Sequence, residues 1–149
     1  MDTPVAALLE RKGSAVHAVP STITVAEAVA EMNKKRIGCI IIADGGKING
    51  IFTERDVLMR VVGSDRDPKS TRLSDVMTRN VHTIPPETTV EETMVFFAEK
   101  KCRHIPVIDK KAGKIMGLIS IGDISRWVAE TSRAEAEQLK SYISGGFPT

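Results

Sequence analysis

The sequence predicts an α/β (α+β) fold built from two tandem copies of one strand–helix–strand–strand–helix unit. Two short segments, GIFTERD at 50–56 and GLISIGD at 117–123, share a glycine, two apolar residues, a hydroxyl residue and an aspartate three positions after the hydroxyl. Their flanks also agree, because VHAVP at 16–20 matches VHTIP at 81–85. Such internal similarity is the signature of a repeated structural unit.

The repeat also predicts where the chain divides. Val25 and Val90 occupy equivalent places 65 positions apart. We therefore assign residues 1–68 to a first domain, 69–130 to a second and 131–149 to a C-terminal helical tail. Units of roughly this size rarely build a self-sufficient core, so we expect the copies to pack face to face and share one.

Each copy begins with an extended segment that leads into a helix. Thr24 and Thr89 stand at the predicted helix starts, and Glu27 and Glu92 follow three positions later. This is the spacing of a capping box, in which the hydroxyl and the carboxylate bond the free amides of the first turn. Apolar residues at helical spacing follow in both copies, so we predict one helix in each.

A hairpin and a second helix complete each copy. The apolar runs CIIIAD at 39–44 and HIPVID at 104–109 are typical of buried strands. After a turn, INGIF at 48–52 and IMGLIS at 115–120 predict the partner strands. The second helices follow at once, and the segment beyond residue 130 is rich in helix formers, which predicts a helical extension that is either solvated or packed on another copy of the protein.

Composition argues against several classes of protein. Lys and Arg number 21 against 19 Asp and Glu, a net charge of +2, which is too balanced for a typical nucleic-acid binder. The longest apolar run, IGCIIIA at 37–43, is much shorter than the roughly 20 residues of a membrane helix. The N-terminal segment has no apolar core typical of a secretory signal, so we expect a cytoplasmic protein.

The sequence also lacks the common signatures of catalysis. It contains no HExxH, GxxxxGK[ST], GxSxG or strand-following GxGxxG pattern. The two cysteines, Cys39 and Cys102, have no CxxC spacing and are expected to be structural thiols. We therefore expect no enzyme, no catalytic cofactor and no metal site.

The repeated heptapeptide has two interpretations. The spacing from Thr53 to Asp56, and from Ser120 to Asp123, is that of a helix cap and needs no ligand. However, a helix start that follows a buried strand also favours anions, and an aspartate there can accept hydrogen bonds from both hydroxyls of a ribose. One mononucleotide could therefore use both groups, with its ribose on the aspartate.

The two G-h-h-[ST]-x-x-D patterns, each after a predicted hairpin, resemble a tandem pair of cystathionine-β-synthase (CBS) domains, also called a Bateman module. The resemblance runs from about Thr3 to about Trp127 and includes LSDVMTRNVHTIPPETTVEETM at 73–94 and RHIPVID at 103–109. It implies two units packed through their sheets about a pseudo-two-fold axis, with two clefts for adenosyl ligands. AMP is the first candidate, and ADP, ATP, NAD and S-adenosylmethionine are the others.

The resemblance also implies which residues bind the nucleotide. The first copy would contribute Cys39, Ile40, Ile41, Thr53, Arg55 and Asp56, and the second copy Thr83, Arg103, His104, Ile105, Pro106, Ser120, Ile121, Gly122 and Asp123. Strand residues would border the base, the aspartates would bind the ribose, and the basic groups would face a phosphate. We expect stronger binding in the second copy, because Glu54 adds a competing negative charge in the first.

The family usually regulates an attached enzyme or channel. This sequence therefore predicts a stand-alone regulatory sensor that binds an adenosyl ligand and acts on a separate protein. We also expect a homodimer that buries outward-facing helix residues such as Met32, Met59, Phe96 and Ile124. Two alternatives stay open: a structural dimerisation protein with vestigial clefts, and a nucleic-acid-binding protein that uses the basic KKR and KKCR segments.

Overall fold

The structure is a computed structural model that describes residues 2–13 and 16–146, with side chains as far as residue 141. The last three residues of the predicted tail lie outside the described residues. In chain order the elements are α1 (Val5–Lys12), β1 (Ala18–Val19), α2 (Val25–Lys35), β2 (Cys39–Asp44), β3 (Lys47–Thr53), α3 (Glu54–Asp56), a π-helix (Val57–Val62), α4 (Leu73–Val76), α5 (Val90–Lys100), β4 (His104–Asp109), β5 (Lys114–Ser120) and α6 (Ile121–Gly146).

Packing divides the described chain into two compact units. The first-copy unit comprises residues 16–83, and the second-copy unit combines residues 2–13 with residues 84–146. Helix α1 precedes the first copy in the sequence but packs within the second-copy unit. The repeat boundaries and the packing boundaries are therefore different divisions of the same chain.

The same local signals start the first helix of each copy. The Thr24 hydroxyl accepts the amide of Glu27, and the Thr89 hydroxyl accepts the amide of Glu92. Both helices end at a residue in the left-handed region, Arg36 with φ 55° and Lys101 with φ 54°. The predicted N-caps of α2 and α5 are therefore confirmed. The full capping box forms only at α5, where the Glu92 carboxylate accepts the amide of Thr89, whereas the Glu27 carboxylate accepts the Thr24 hydroxyl.

The two hairpins have the same register. In the first, Cys39 pairs with Thr53, and in the second, His104 pairs with Ser120. Each hairpin also contains an irregularity, which follows Ile42 in one copy and Val107 in the other. The hydroxyl residue of each heptapeptide thus ends a strand, directly before a helix begins.

Each unit has its own apolar cluster, formed by one face of its sheet and by its helices. The fully buried residues Ile40, Ile42 and Phe52 pack in the first-copy unit. Ile105 and Ile119, equally buried, pack in the second-copy unit. Alternation along the strands explains this arrangement, because successive side chains point to opposite faces.

Two elements differ from the sequence prediction. The entering segment of the second copy forms a single bridge between Ile84 and Val107, where the first copy forms strand β1. The helix predicted after β3 is mostly a π-helix, closed by a 2.8 Å bond from the amide of Gly63 to the carbonyl of Leu58. A Cβ on Gly63 would lie 2.8 Å from the carbonyl oxygen of Met59, so glycine permits this wide turn.

The outward-facing helix residues also need correction. Met32 and Ile124 are each 4% exposed and pack in the cores of their own units, so their predicted outward position is wrong. Phe96 is half-buried against the second-copy core, whereas Met59 is exposed as predicted. Helical periodicity places Met32 and Ile124 on the same faces as their buried neighbours.

Candidate functional site

The first heptapeptide forms a complete helix cap. The Thr53 hydroxyl accepts the amide of Asp56 at 3.2 Å, and the Asp56 carboxylate accepts the amide of Thr53 at 3.0 Å. Asp56 is only 7% exposed. The structural interpretation of this segment is therefore confirmed, but the carboxylate is far more buried than a helix cap requires.

The second heptapeptide repeats the arrangement. The amide of Asp123 donates to the Ser120 hydroxyl at 3.1 Å, and the amide of Ser120 donates to the Asp123 carboxylate at 2.8 Å. Asp123 is 8% exposed. A buried carboxylate is costly unless its oxygens are hydrogen-bonded, so the partners of Asp56 and Asp123 define the two sites.

The glycine of each heptapeptide permits a close crossing by a distant segment. A Cβ on Gly50 would lie 2.6 Å from the carbonyl oxygen of Thr78, and one on Gly117 would lie 2.5 Å from a methyl carbon of Leu9. Real Cβ atoms do not approach other atoms so closely. A segment near the start of each copy thus packs directly across the heptapeptide of the other copy: Leu9 across the second heptapeptide and Thr78 across the first.

The crossing segment contributes a different partner at each aspartate. In the first-copy unit, Thr78 and Ile51 exchange two backbone bonds, and the Thr78 hydroxyl donates to Asp56 at 3.1 Å. In the second-copy unit, the ammonium of Lys12 donates to the carbonyl of Leu118 at 2.7 Å and to Asp123 at 2.6 Å. A neutral hydroxyl therefore faces one carboxylate, and a cation faces the other.

Asp123 has a second cationic partner. The guanidinium of Arg126 donates to Oδ1 of Asp123 at 2.6 Å, while Lys12 bonds Oδ2. Burial alone raises the pKa of Asp123, but the hydrogen bonds from Lys12 and Ser120 and the charge of Lys12 outweigh it and hold this pKa below its ordinary value. Asp123 is therefore charged at neutral pH.

The cation near Asp56 is less closely engaged. Nε of Arg60 lies 3.6 Å from Oδ1 of Asp56, and its Nη1 donates to the carbonyl of Met77 at 3.0 Å. A second acid, Glu54, folds over Gly38, where a Cβ would lie 2.8 Å from its carboxylate oxygen. The first site thus carries more negative charge than the second.

Asp123 opens onto a cleft of about 290 Å³ between helices α1 and α6. The cleft is lined by Leu8, Arg11, Lys12, Asp123, Arg126, Trp127 and Glu130. The guanidinium of Arg11 stacks 5.2 Å above the indole of Trp127 and forms an ion pair of 3.1 Å with Glu130. The cleft therefore presents mixed charges beside an aromatic wall.

The strands predicted to border the base, β2 and β4, have mostly buried side chains and backbone groups that bond neighbouring segments. The side chains of Ile40 and Ile105 lie in the apolar cores and are therefore not available to a ligand. The amide of Ile41 donates to the backbone carbonyl of His17 at 3.2 Å, and the carbonyl of Pro106 accepts the amide of Ile84 at 3.1 Å. Cys39 and Pro106 are buried, while His104 is half-buried at the start of β4.

The remaining predicted residues are more exposed. Nε of Arg55 bonds the sulfur of Met59 at 3.3 Å, which directs this side chain along the helix. Arg103, Ile121 and Gly122 are exposed, and the carbonyl of Arg103 accepts the amide of Ile121 at 3.0 Å. Thr83 is half-buried.

Sequence reasoning missed four residues that contact the aspartates: Lys12, Arg60, Thr78 and Arg126. Arg60 and Arg126 follow their aspartates by four and three positions, a helical spacing that could have identified them. Lys12 is 111 positions from Asp123, and Thr78 is 22 positions from Asp56. No local pattern reports contacts over such distances, so these two required the fold.

The described residues contain neither a grouped set of metal ligands nor a helix suited to a membrane. No three or more His, Cys, Asp or Glu side chains of residues 2–13 and 16–146 are grouped so that they could hold a metal ion. Within the same ranges, no helix combines the length and the apolar character needed to cross a membrane.

Sequence comparison gives matches across both copies. A family model described as CBS domain matches residues 2–63 and 73–130. The mitochondrial CBS domain-containing protein CBSX3 of Arabidopsis thaliana is 37% identical over 129 residues, which cover 83% of this chain. The chain spans 62% of the length of that relative.

Solved structures give the same result. The CBS-domain containing protein ATU1752 from Agrobacterium tumefaciens is 34% identical with a TM-score of 0.78, and the match covers 83% of this chain and 98% of that one. Another similar structure is the CBS domain pair of protein MJ0100, which was solved in complex with 5'-methylthioadenosine and S-adenosyl-L-methionine. Its TM-score is 0.77 at 24% identity, and the match covers 88% of this chain and 99% of that one. The resemblance and the α+β fold class are thereby confirmed, and the chain belongs to the CBS domain family.

Proposed function

We propose that this protein is a non-catalytic regulatory module that binds an adenosyl ligand at Asp56 and Asp123. The observation that carries the proposal is the burial of both carboxylates to 8% exposure or less, each at a helix start and beside a hydroxyl residue. A helix cap alone works equally well at the surface, where a carboxylate keeps its water. Burial in a polar setting is typical of a binding group instead.

The chemistry of the two aspartates suits a ribose. A carboxylate offers two oxygens and about four acceptor positions, and the two hydroxyls of a ribose donate two hydrogen bonds. Hydrogen bonds to a charged group are worth roughly 1.5 to 3 kcal/mol each. Both ligands bound to the MJ0100 domain pair, 5'-methylthioadenosine and S-adenosyl-L-methionine, contain such a ribose, which supports the same chemistry on this fold.

The wider proposal follows the family. We infer that the module acts on a separate protein in the cytoplasm and forms a homodimer, with AMP as the first candidate ligand and ADP, ATP, NAD and S-adenosylmethionine as the others. No observation favours nucleic acid as the ligand, because the net charge is only +2.

A thermal-shift series with these five ligands tests the proposal. A ligand at about 100 times its dissociation constant contributes roughly 2.7 kcal/mol to the free energy of unfolding. For a chain of this size we expect the unfolding midpoint to rise by about 5 to 10 °C. An unmoved midpoint with all five ligands at millimolar concentration would leave the heptapeptides as helix caps.

The structural alternative has one observation in its favour. The reciprocal hydrogen bonds of Thr53 with Asp56, and of Ser120 with Asp123, already account for the repeated heptapeptide. A protein that dimerises but binds none of the five ligands would fit this alternative. The two candidates therefore separate on ligand binding, whatever the oligomeric state.

A further inference from the structure

The two oxygens of Asp123 are occupied unequally. Oδ2 accepts the amide of Ser120 and the ammonium of Lys12, whereas Oδ1 accepts the guanidinium of Arg126. Each carboxylate oxygen has about two acceptor positions. The Ser120 amide and the Lys12 ammonium thus fill both positions on Oδ2.

A ribose that bonds both oxygens therefore has to displace a partner from Oδ2. The Ser120 amide is fixed by the helix cap, so it cannot leave without breaking the first turn. The side chain of Lys12 is flexible and 40% exposed, and its ammonium also donates to the carbonyl of Leu118. Lys12 is consequently the group that a ribose displaces.

The displaced ammonium needs a new anionic partner. With an unphosphorylated ligand, only water can solvate the displaced ammonium, whereas a phosphorylated ligand brings its own anion into the same cleft. Asp123, Lys12 and Arg126 together carry one net positive charge, and the neighbouring Arg11 and Glu130 neutralise each other. A phosphate therefore gains at this site both a free cation and a favourable local charge.

The first site has no equivalent exchange. There the hydroxyl of Thr78 takes the place of Lys12 against the carboxylate, and Glu54 adds a negative charge nearby. A ribose that takes the place of Thr78 at Asp56 displaces a neutral donor, which has no need of a phosphate, and the more distant Arg60 keeps the carbonyl of Met77 as a partner.

We propose that Lys12 makes the site at Asp123 selective for phosphorylated over unphosphorylated adenosyl ligands, because the ribose releases Lys12 from Asp123 and the phosphate then binds it. This inference rests on the proposed function and adds a specificity-determining residue from outside both heptapeptides. The site at Asp56 lacks this selectivity.

Calorimetric titration of AMP and of adenosine tests the exchange. The titrations use the full chain with the substitution Asp56→Asn, so that the measured binding comes from the second site. In that background, Lys12→Met is expected to lower the ratio of AMP affinity to adenosine affinity by roughly tenfold, the worth of one charge-assisted hydrogen bond. Adenosine itself should bind more tightly, because its competitor for Asp123 is gone.

Three further variants make the result specific. Lys12→Arg keeps the charge and should preserve the ratio, while Lys12→Gln should lower it like Lys12→Met and serves if the methionine variant folds poorly. Lys35→Met is the matched control, because Lys35 is an exposed lysine in the last turn of α2, as Lys12 is in the last turn of α1. It should leave the ratio unchanged.

An unchanged ratio in Lys12→Met and Lys12→Gln would overturn the exchange, and so would an equal weakening of both ligands, which would make Lys12 a structural residue. Absence of binding of both ligands to the Asp56→Asn chain has a different meaning. It would contradict the proposed function at Asp123 and the inference with it.

Discussion

Gly50 and Gly117 occupy the same place in the repeat but meet different atoms. A Cβ on Gly50 meets the backbone oxygen of Thr78, whereas a Cβ on Gly117 meets a side-chain methyl of Leu9. Thr78 is further held by two backbone bonds to Ile51. Gly50 therefore packs against a rigid backbone atom, whereas Gly117 packs against a side chain that can move.

This difference predicts unequal stability losses. Gly50→Ala should lower the free energy of unfolding by about 1 to 3 kcal/mol, the usual cost of overpacking. Gly117→Ala should cost less, because Leu9 can change rotamer. Urea unfolding of the two variants measures both losses, and equal or reversed losses would contradict the assignment of the crossing atoms.

The lowered pKa of Asp123 predicts a pH dependence of stability. A carboxyl whose pKa is lower in the folded than in the unfolded state stabilises the fold above its unfolded pKa of about 3.9, and this contribution is lost as the pH falls through the folded value. The stability difference between the wild type and Asp123→Asn should therefore shrink between about pH 5 and pH 3. Urea unfolding across this range measures it, and a constant difference would show that Lys12 and Ser120 do not hold the pKa down.

Residue-scale prediction succeeded where the contacts are local. The caps of Thr24, Thr89 and the two heptapeptides depend on residues three positions apart, so their spacing alone revealed them. Lys12 went unnoticed because the turn that brings it to Asp123 is set by the packing of α1 and not by any local pattern.

At the scale of elements, helix α1 lies at the start of the first copy in the sequence but packs within the second-copy unit. Its buried residues Val5, Leu8 and Leu9 belong to the apolar cluster of the second-copy unit. In the first-copy unit, the short helix α4 contributes Leu73 and Val76, and the residue after it contributes Met77, in the same way. Periodicity identifies an apolar face but does not tell which copy covers it, so the destination of α1 could not be derived from the sequence.

Truncation of a buried residue in α1 should therefore loosen the other copy. Leu8→Ala should destabilise the second-copy unit by about 2 to 5 kcal/mol. Native-state hydrogen exchange should then accelerate in α5, β4 and β5 more than in α2. Val76→Ala is the matched variant in α4 and should give the opposite distribution, while acceleration mainly in α2 by Leu8→Ala would contradict the packing of α1.

At the scale of the whole molecule, the π-helix exposes an unusual amount of apolar surface. Leu58, Met59 and Val62 are 66%, 56% and 67% exposed. Apolar clusters of this kind on a folded protein are typical of contact surfaces. They replace Met32 and Ile124 as the residues expected in the predicted homodimer.

The homodimer prediction is tested by sedimentation equilibrium. We expect a dimer at micromolar concentration, and a monomer when Leu58→Lys and Val62→Lys are combined, because two charges would have to be buried. Leu139→Lys, at another exposed apolar residue, should leave the dimer intact. A monomeric wild-type protein would contradict the prediction.

The central claim, that Asp56 and Asp123 bind the ribose of an adenosyl ligand, is tested most directly by calorimetric titration of AMP into the wild type, Asp56→Asn, Asp123→Asn and the double variant. Asparagine keeps the size and much of the cap but removes the charged acceptor. Each single variant should lose about tenfold to a hundredfold in affinity at its own site, and the double variant should lose both sites. AMP binding of equal affinity in all four proteins would contradict the claim.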